Sequence, residues 1–140
     1  MTAFVLDASV AISWCFPGDP TENNDYSRRM LALLETCDAV VPEVWPLEVA
    51  NNIFVSFNKR KRINERQVHE YMELLEALPI RIEPYNIWAT VALQSMSRRL
   101  NLAAYDVAYL NLAARLNLPL ATFDKGLRKA AIAEGVKLLP

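Results

Sequence analysis

The chain has 140 residues, 53% of them hydrophobic and 22% charged, with a net charge of −1 and an estimated pI of about 5.8. That length suits one domain spanning residues 1–140 with a real core, and the apolar content excludes a disordered chain. The charge balance excludes a generally basic nucleic-acid binder, so any contact with nucleic acid must come from a local patch or through a metal.

Phe4-Val5-Leu6 reads as a first buried strand that runs into Asp7. A helical pattern from about Asp25 to Thr36 places Met30, Leu33 and Leu34 on one face. Ala39-Val40-Val41 is a second strand, closed by Pro42. From Trp45 to about Lys59, Trp45, Val49, Ile53 and Phe57 recur at i, i+4, and Pro46 fits because it falls in the first turn. The next helix, Asn64 to Leu78, opens on a cap-like Asn64 with Gln67 three residues later, a variant of the capping box. Ile80-Arg81-Ile82, between Pro79 and Pro84, is the third strand. Helices are expected from about Ile87 to Leu100 and from about Tyr105 to Leu116. Leu120-Ala121-Thr122-Phe123, entered through Pro119, is the fourth strand. A last helix from about Lys125 to Glu134 ends at Gly135, and a short fifth strand is expected over Val136-Lys137-Leu138-Leu139. This alternation predicts an α/β fold: a three-layer sandwich with a mostly parallel central sheet flanked by helices. Ligands in such folds sit beyond the carboxyl ends of the strands, so the loops there are the places to seek chemistry.

Four acids stand out against apolar surroundings. Asp7 follows the first strand and Asp124 the fourth. Glu48 lies on a helix that is apolar over most of its circumference, with Asn52 one turn on along the same face. Asp106 is the only charge in Leu102–Leu110 and sits near a helix start, where the dipole favours an anion. Each acid has a structural reading too. Asp7 suits a strand-end turn, Asp106 a first helical turn, Glu48 a buried pair with Arg, and Asp124 a helix cap. All four together would need four independent structural reasons. Two carboxylates about 4 Å apart repel by about 4 kcal/mol at an effective dielectric of 20, so a convergent set needs a cation to ionise fully. An oxygen-only set without His or Cys suits Mg²⁺ or Mn²⁺ rather than Zn²⁺.

The same residues carry a family resemblance. Asp7-Ala8-Ser9-Val10-Ala11 resembles the opening of PIN-domain toxins of the VapC type. Val41–Asn52, with Glu48 and the Asn that follows, is similar to the helix bearing that family's second acid. Ala104–Ala113 resembles its third-acid helix, and Leu120-Ala121-Thr122-Phe123-Asp124 its closing Thr-x-Asp strand. Order, spacing and length agree over nearly the whole chain. The resemblance implies a PIN-like sandwich and a Mg²⁺- or Mn²⁺-dependent endoribonuclease acting as the toxin of a toxin–antitoxin pair. Its catalytic and metal-binding residues would be Asp7, Glu48, Asp106 and Asp124. Ser9, Asn52 and Thr122 would hydrogen-bond those acids or position water. The implied partners are an RNA substrate, a VapB-like antitoxin and a second copy of the chain.

The remaining features are less specific. Lys59-Arg60-Lys61-Arg62 is a solvated helix end or, with Lys125, a contact for an RNA backbone; Arg98, Arg99, Arg128 and Lys129 are weaker candidates for that contact. The lone His69 lies among polar residues, leaving little basis for a histidine-driven mechanism. Cys15 and Cys37 fit no metal or redox spacing and are expected as free thiols. Trp14, Phe16 and Trp45 are expected in the core or as anchors for a partner peptide. The three glycines form no phosphate-binding loop. The start of the chain lacks a signal-peptide pattern and no segment is apolar enough to span a bilayer, so the cytoplasm is the expected location. Rival readings are a Mg²⁺-binding receiver domain, a non-catalytic PIN scaffold and a DNA-directed nuclease. The receiver fits poorly, because the first strand ends in a lone acid and the third in Glu83-Pro84.

Overall fold

The apolar runs pair into one sheet in the computed structural model, which describes residues 1–140. The strands are β1 (Ala3–Leu6), β2 (Asp38–Pro42), β3 (Ile80–Glu83) and β4 (Leu120–Ala121). They are all parallel, in the spatial order β3-β2-β1-β4. Every residue of β1 is buried, as are Ala39 to Pro42 of β2 and both residues of β4, because helices cover both faces of the central strands. β3 lies at the edge, and there Arg81 and Ile82 are exposed.

Seven helices flank this sheet: α1 (Ala8–Ser13), α2 (Asp25–Leu33), α3 (Val44–Phe54), α4 (Glu65–Ala77), α5 (Ala89–Leu100), α6 (Ala104–Leu116) and α7 (Lys125–Ala133). Side-chain caps set several starts. Asn24 Oδ1 accepts from Ser27 N–H at 3.0 Å to open α2. Asn64 and Gln67 form both bonds of the expected capping box at 2.9 Å each. Asn101 and Asn117 end α5 and α6 in the left-handed conformation, at φ 54° and 55°, and Gly135 follows α7 at φ 73°. Pro46 sits in the first turn of α3, where its missing N–H has no intrahelical partner to lose. α3 runs on into a π-helical turn, Val55–Lys59.

Helix α6 is the hub of the core. Val107, Tyr109, Leu110 and Leu112 are fully buried, and the helix packs on β1, β2 and β4 while α5 and α7 pack against it. Trp14, Phe16 and Trp45 are buried in the core cluster.

Four elements differ from the sequence expectation. α1 is present although no helix was expected there; at six residues it is too short to display a full apolar period. α2 stops at Leu33 rather than Thr36. β4 stops at Ala121, since Asp124 N–H folds back onto Thr122 Oγ1 at 3.0 Å, and the expected fifth strand contracts to a bridge between Leu120 and Leu138.

Candidate functional site

The strand order reverses direction at the seam between β1 and β4, which makes the crevice beyond their carboxyl ends the natural ligand position. Asp7 is the first residue past β1, tied to β4 by its N–H on Ala121 O at 3.0 Å. It occupies the cap position of α1 without capping it. Instead its Oδ2 accepts from Ser9 Oγ and from the fully buried Thr122 Oγ1, both at 2.6 Å. Those hydroxyls accept in turn, Ser9 from Phe123 N–H at 3.2 Å and Thr122 from Asp124 N–H at 3.0 Å. Both bonds fall on one oxygen of Asp7, and Oδ1 has no hydrogen-bond partner in the protein.

The other three acids come from separate helices. Glu48 is half-buried on α3, and its Oε1 accepts from the buried Tyr109 hydroxyl at 2.5 Å. A phenol thus supplies the partner that the apolar helix required, where sequence suggested Arg. Asp106 is partly buried in the first turn of α6. Asp124 caps α7 through Oδ1, which accepts from Leu127 N–H at 2.8 Å. A Cβ at Gly126 would come within 3.3 Å of that same oxygen, so the glycine leaves Asp124 room.

Electrostatics joins the four. Burial is the first cause that holds the Asp7, Glu48 and Asp106 carboxyls above their ordinary values. Repulsion adds to it: Asp7 senses Asp106 and Asp124, Glu48 senses Asp7 and Asp106, and Asp106 senses Asp124. No lysine or arginine is among the charges acting on these three. The acids do not close into a finished cage, for no three His, Cys, Asp or Glu side chains converge as a metal-binding group. Such an open set of oxygen donors is compatible with a divalent ion that keeps several waters and takes one or two carboxylates.

The raised carboxyls predict a pH dependence of stability. Between the ordinary carboxylate value and the raised one, the folded chain binds more protons than the unfolded chain. Stability in excess chelator should therefore fall as pH rises through that window, and the loss is complete above it. Thermal melting is expected to improve on acidification toward the ordinary carboxylate range, and Asp7→Asn should flatten the slope. A melting temperature that drops steadily over that range, with the same slope in the variant, would contradict the burial described above.

The structure places the remaining sequence candidates elsewhere. Asn52 does not touch the acids; its Oδ1 accepts from Ser56 Oγ at 3.4 Å. Lys59, Arg60 and Lys61 are exposed at the end of the π-helical turn. Arg62 is engaged, with Asp19 at 3.4 Å and Glu22 at 3.2 Å, and with its guanidinium 4.1 Å from the centre of the Phe16 ring. Lys125 is exposed beside Asp124. His69 is exposed and pairs with Glu73 at 2.9 Å. Cys15 and Cys37 are free and buried. Sequence reasoning missed Tyr109, although it lies three residues past Asp106 on the same helical face. It also missed the tie from Arg128 Nη1 to Thr122 O at 2.9 Å, which braces the loop that carries Thr122.

An all-parallel α/β sandwich with carboxylates gathered over its switch point defines a class of acid-rich α/β domains. Within that class the chain belongs to the PIN domain family, whose sequence profile matches residues 4–133. Its fold is similar to the crystal structure of PAE2754 from Pyrobaculum aerophilum, with a TM-score of 0.62 at 14% identity, covering 91% of this chain and 85% of that one. Comparison with curated proteins gave no match. PIN domains are generally metal-dependent nucleases that use divalent ions. No helix is long and apolar enough to cross a membrane.

Proposed function

We propose that this chain is a Mg²⁺- or Mn²⁺-dependent endoribonuclease acting in the cytoplasm as the toxin of a VapBC-type pair. The observation that supports the nuclease reading is the mutual repulsion linking Asp7, Glu48, Asp106 and Asp124, with no lysine or arginine acting on the first three. A divalent ion held by Asp7, Glu48, Asp106 and Asp124 would supply an activated water and polarise a phosphate oxygen. The chain's own part is orientation. Ser9 and Thr122 fix Asp7 through one oxygen, and the other has no protein partner and would be open to the ion. Tyr109 fixes Glu48, and Leu127 N–H fixes Asp124. With its only histidine paired to Glu73 on α4, the protein has no histidine pair to drive attack by a ribose 2′-hydroxyl.

The expected products are therefore a 5′-phosphate and a 3′-hydroxyl. Protein purified free of any partner should cut total RNA only when Mg²⁺ or Mn²⁺ is present, and end mapping reads the termini. A 2′,3′-cyclic phosphate, or full activity in excess chelator, would defeat this mechanism, and cutting confined to DNA would reassign the substrate.

The toxin reading rests on the motif resemblance and on a surface suited to partners. The anionic crevice would accept an Arg or Lys from an antitoxin segment in place of the ion. Ile87, Trp88 and Val91, exposed by 78%, 75% and 61% within one turn at the start of α5, support pairing with a second copy. Arg60, Lys61 and Lys125 are exposed basic groups suited to an RNA backbone. Expression in a bacterial host should arrest growth, and co-expression of the adjoining small reading frame should relieve the arrest. Unimpeded growth with the wild-type chain, in cells where it demonstrably cuts RNA, would leave a nuclease that is no toxin.

A further inference from the structure

A cavity of about 460 Å³ opens beside the acids, walled by residues that include Ser9, Glu22, Asn24, Asn52 and Phe123. That volume lies within the range of small-molecule sites. Three of these residues stand one step from a carboxylate. Ser9 hydrogen-bonds Asp7, Asn52 lies one helical turn past Glu48, and Phe123 directly precedes Asp124. The cavity therefore adjoins the acids through Ser9 and Phe123, although none of the four acids lines it.

The groups on its wall have capacity left over. Asn24 gives its Oδ1 to the cap on Ser27 N–H, so its amide NH₂ is turned away from the helix and makes no hydrogen bond. Asn52 gives its Oδ1 to Ser56 and likewise keeps a free NH₂. Glu22 takes Arg62 on Oε1, leaving Oε2 as an acceptor. Phe123 is partly exposed and packs on Tyr26 with ring centres 5.3 Å apart, which holds its ring in place. Two amide donors, a carboxylate acceptor and a fixed aromatic ring are the groups with which proteins read an unstacked base in single-stranded RNA.

We propose that this cavity receives the base of a nucleotide flanking the scissile bond and prefers the keto bases guanine and uracil. Both present a ring N–H next to a carbonyl, so Glu22 accepts from the N–H while an asparagine amide donates to the oxygen. Adenine and cytosine turn a bare ring nitrogen toward the carboxylate and an amino group toward the amide, which leaves both pairs mismatched. The proposal rests on the nuclease reading of the adjoining acids, and its test separates the two.

In excess chelator, the wild-type protein is titrated with guanosine, uridine, adenosine and cytidine, which carry no phosphate for the acids to repel. Guanosine and uridine should bind about tenfold more tightly than the other two, the discrimination expected of one well-made pair. Asn52→Ala should erase the difference. So should Asn24→Asp, which retains the cap on α2 and replaces the amide donor with a charged acceptor. Cleavage sites are then mapped on random-sequence single-stranded RNA with Mn²⁺. Wild type should cut next to guanine or uracil, and Asn52→Ala and Phe123→Leu should cut with that preference reduced about tenfold. Equal binding of all four nucleosides, or a cleavage preference that survives both variants, would overturn the pocket while the nuclease reading stands. RNA left intact with every metal would overturn the nuclease reading, and the nucleoside titration then decides the pocket by itself.

Discussion

Asp7→Asn should reduce RNA cleavage by more than about a hundredfold and leave the fold intact. The lower bound follows from outer-shell partners, whose loss already costs about 10–100-fold in metal-centred sites. The carboxylate that such partners orient should cost more. Folding should survive because an amide oxygen at this position still accepts from Ser9 Oγ and Thr122 Oγ1. The variant also removes a buried charge repelled by Asp106 and Asp124, so its melting temperature in chelator should equal or exceed that of wild type. Turnover with Mn²⁺, calorimetric Mn²⁺ affinity and thermal melting together make the check. Wild-type turnover across a full metal titration would remove Asp7 from the site.

The second large effect is expected at Tyr109. This ring is fully buried in α6, and its hydroxyl is the side-chain partner of Glu48 at 2.5 Å. Burial first, and then the neighbouring Glu48, push the phenol far above its ordinary range, so it remains a proton donor at any working pH. Tyr109→Phe keeps the ring and deletes the donor. Glu48 would then be a half-buried carboxylate without its bond, at a cost of about 1–3 kcal/mol in stability. Metal affinity or activity should fall about 10–100-fold, as for other groups that orient a ligand. The two consequences separate cleanly. If Tyr109 acts by positioning Glu48, the variant needs more Mn²⁺ to reach half-maximal rate, and high Mn²⁺ restores much of the turnover. A lower melting temperature with an unmoved Mn²⁺ curve would make Tyr109 a packing residue only.

How far this could be read in the sequence follows from the range of the forces involved. The capping box at Asn64 and Gln67 spans three residues, and the apolar runs of β1, β2 and β3 declare themselves within four or five. All are local, and all were legible. Asp124 was read both as a cap and as a site acid, and the geometry accommodates both, since the cap uses only Oδ1. Helix α1 escaped because six small and apolar residues also suit a loop or a strand. Strand 136–139 was overread, since an apolar run registers burial whether or not the backbone pairs along its length. Tyr109 was hidden for a different reason. Its partner Glu48 lies 61 residues away, and within α6 it reads as one more large core residue. Arg62 is at the surface as its charge suggests, but its partners Asp19, Glu22 and Phe16 lie 40 or more residues earlier and could not be read from the run itself.

The bond from Thr122 to Asp7 joins residues 115 positions apart, and it constrains when the protein can become active during its own synthesis. A ribosome makes β1 first and β4 among the last elements, and a parallel strand cannot dock until the chain between it and its neighbour has folded back. A nascent chain therefore exposes Asp7 before Thr122, Phe123 and Asp124 exist to organise the loop around it. The crevice is completed only after the sheet has closed on its last strand. A chain halted by a premature stop before β4 would carry three of the four acids yet lack one of the two hydroxyls that orient Asp7 and the backbone that carries Asp124. On the proposed reading as an RNA-cutting enzyme, that schedule delays an assembled site until translation of its own message has passed the codons for β4.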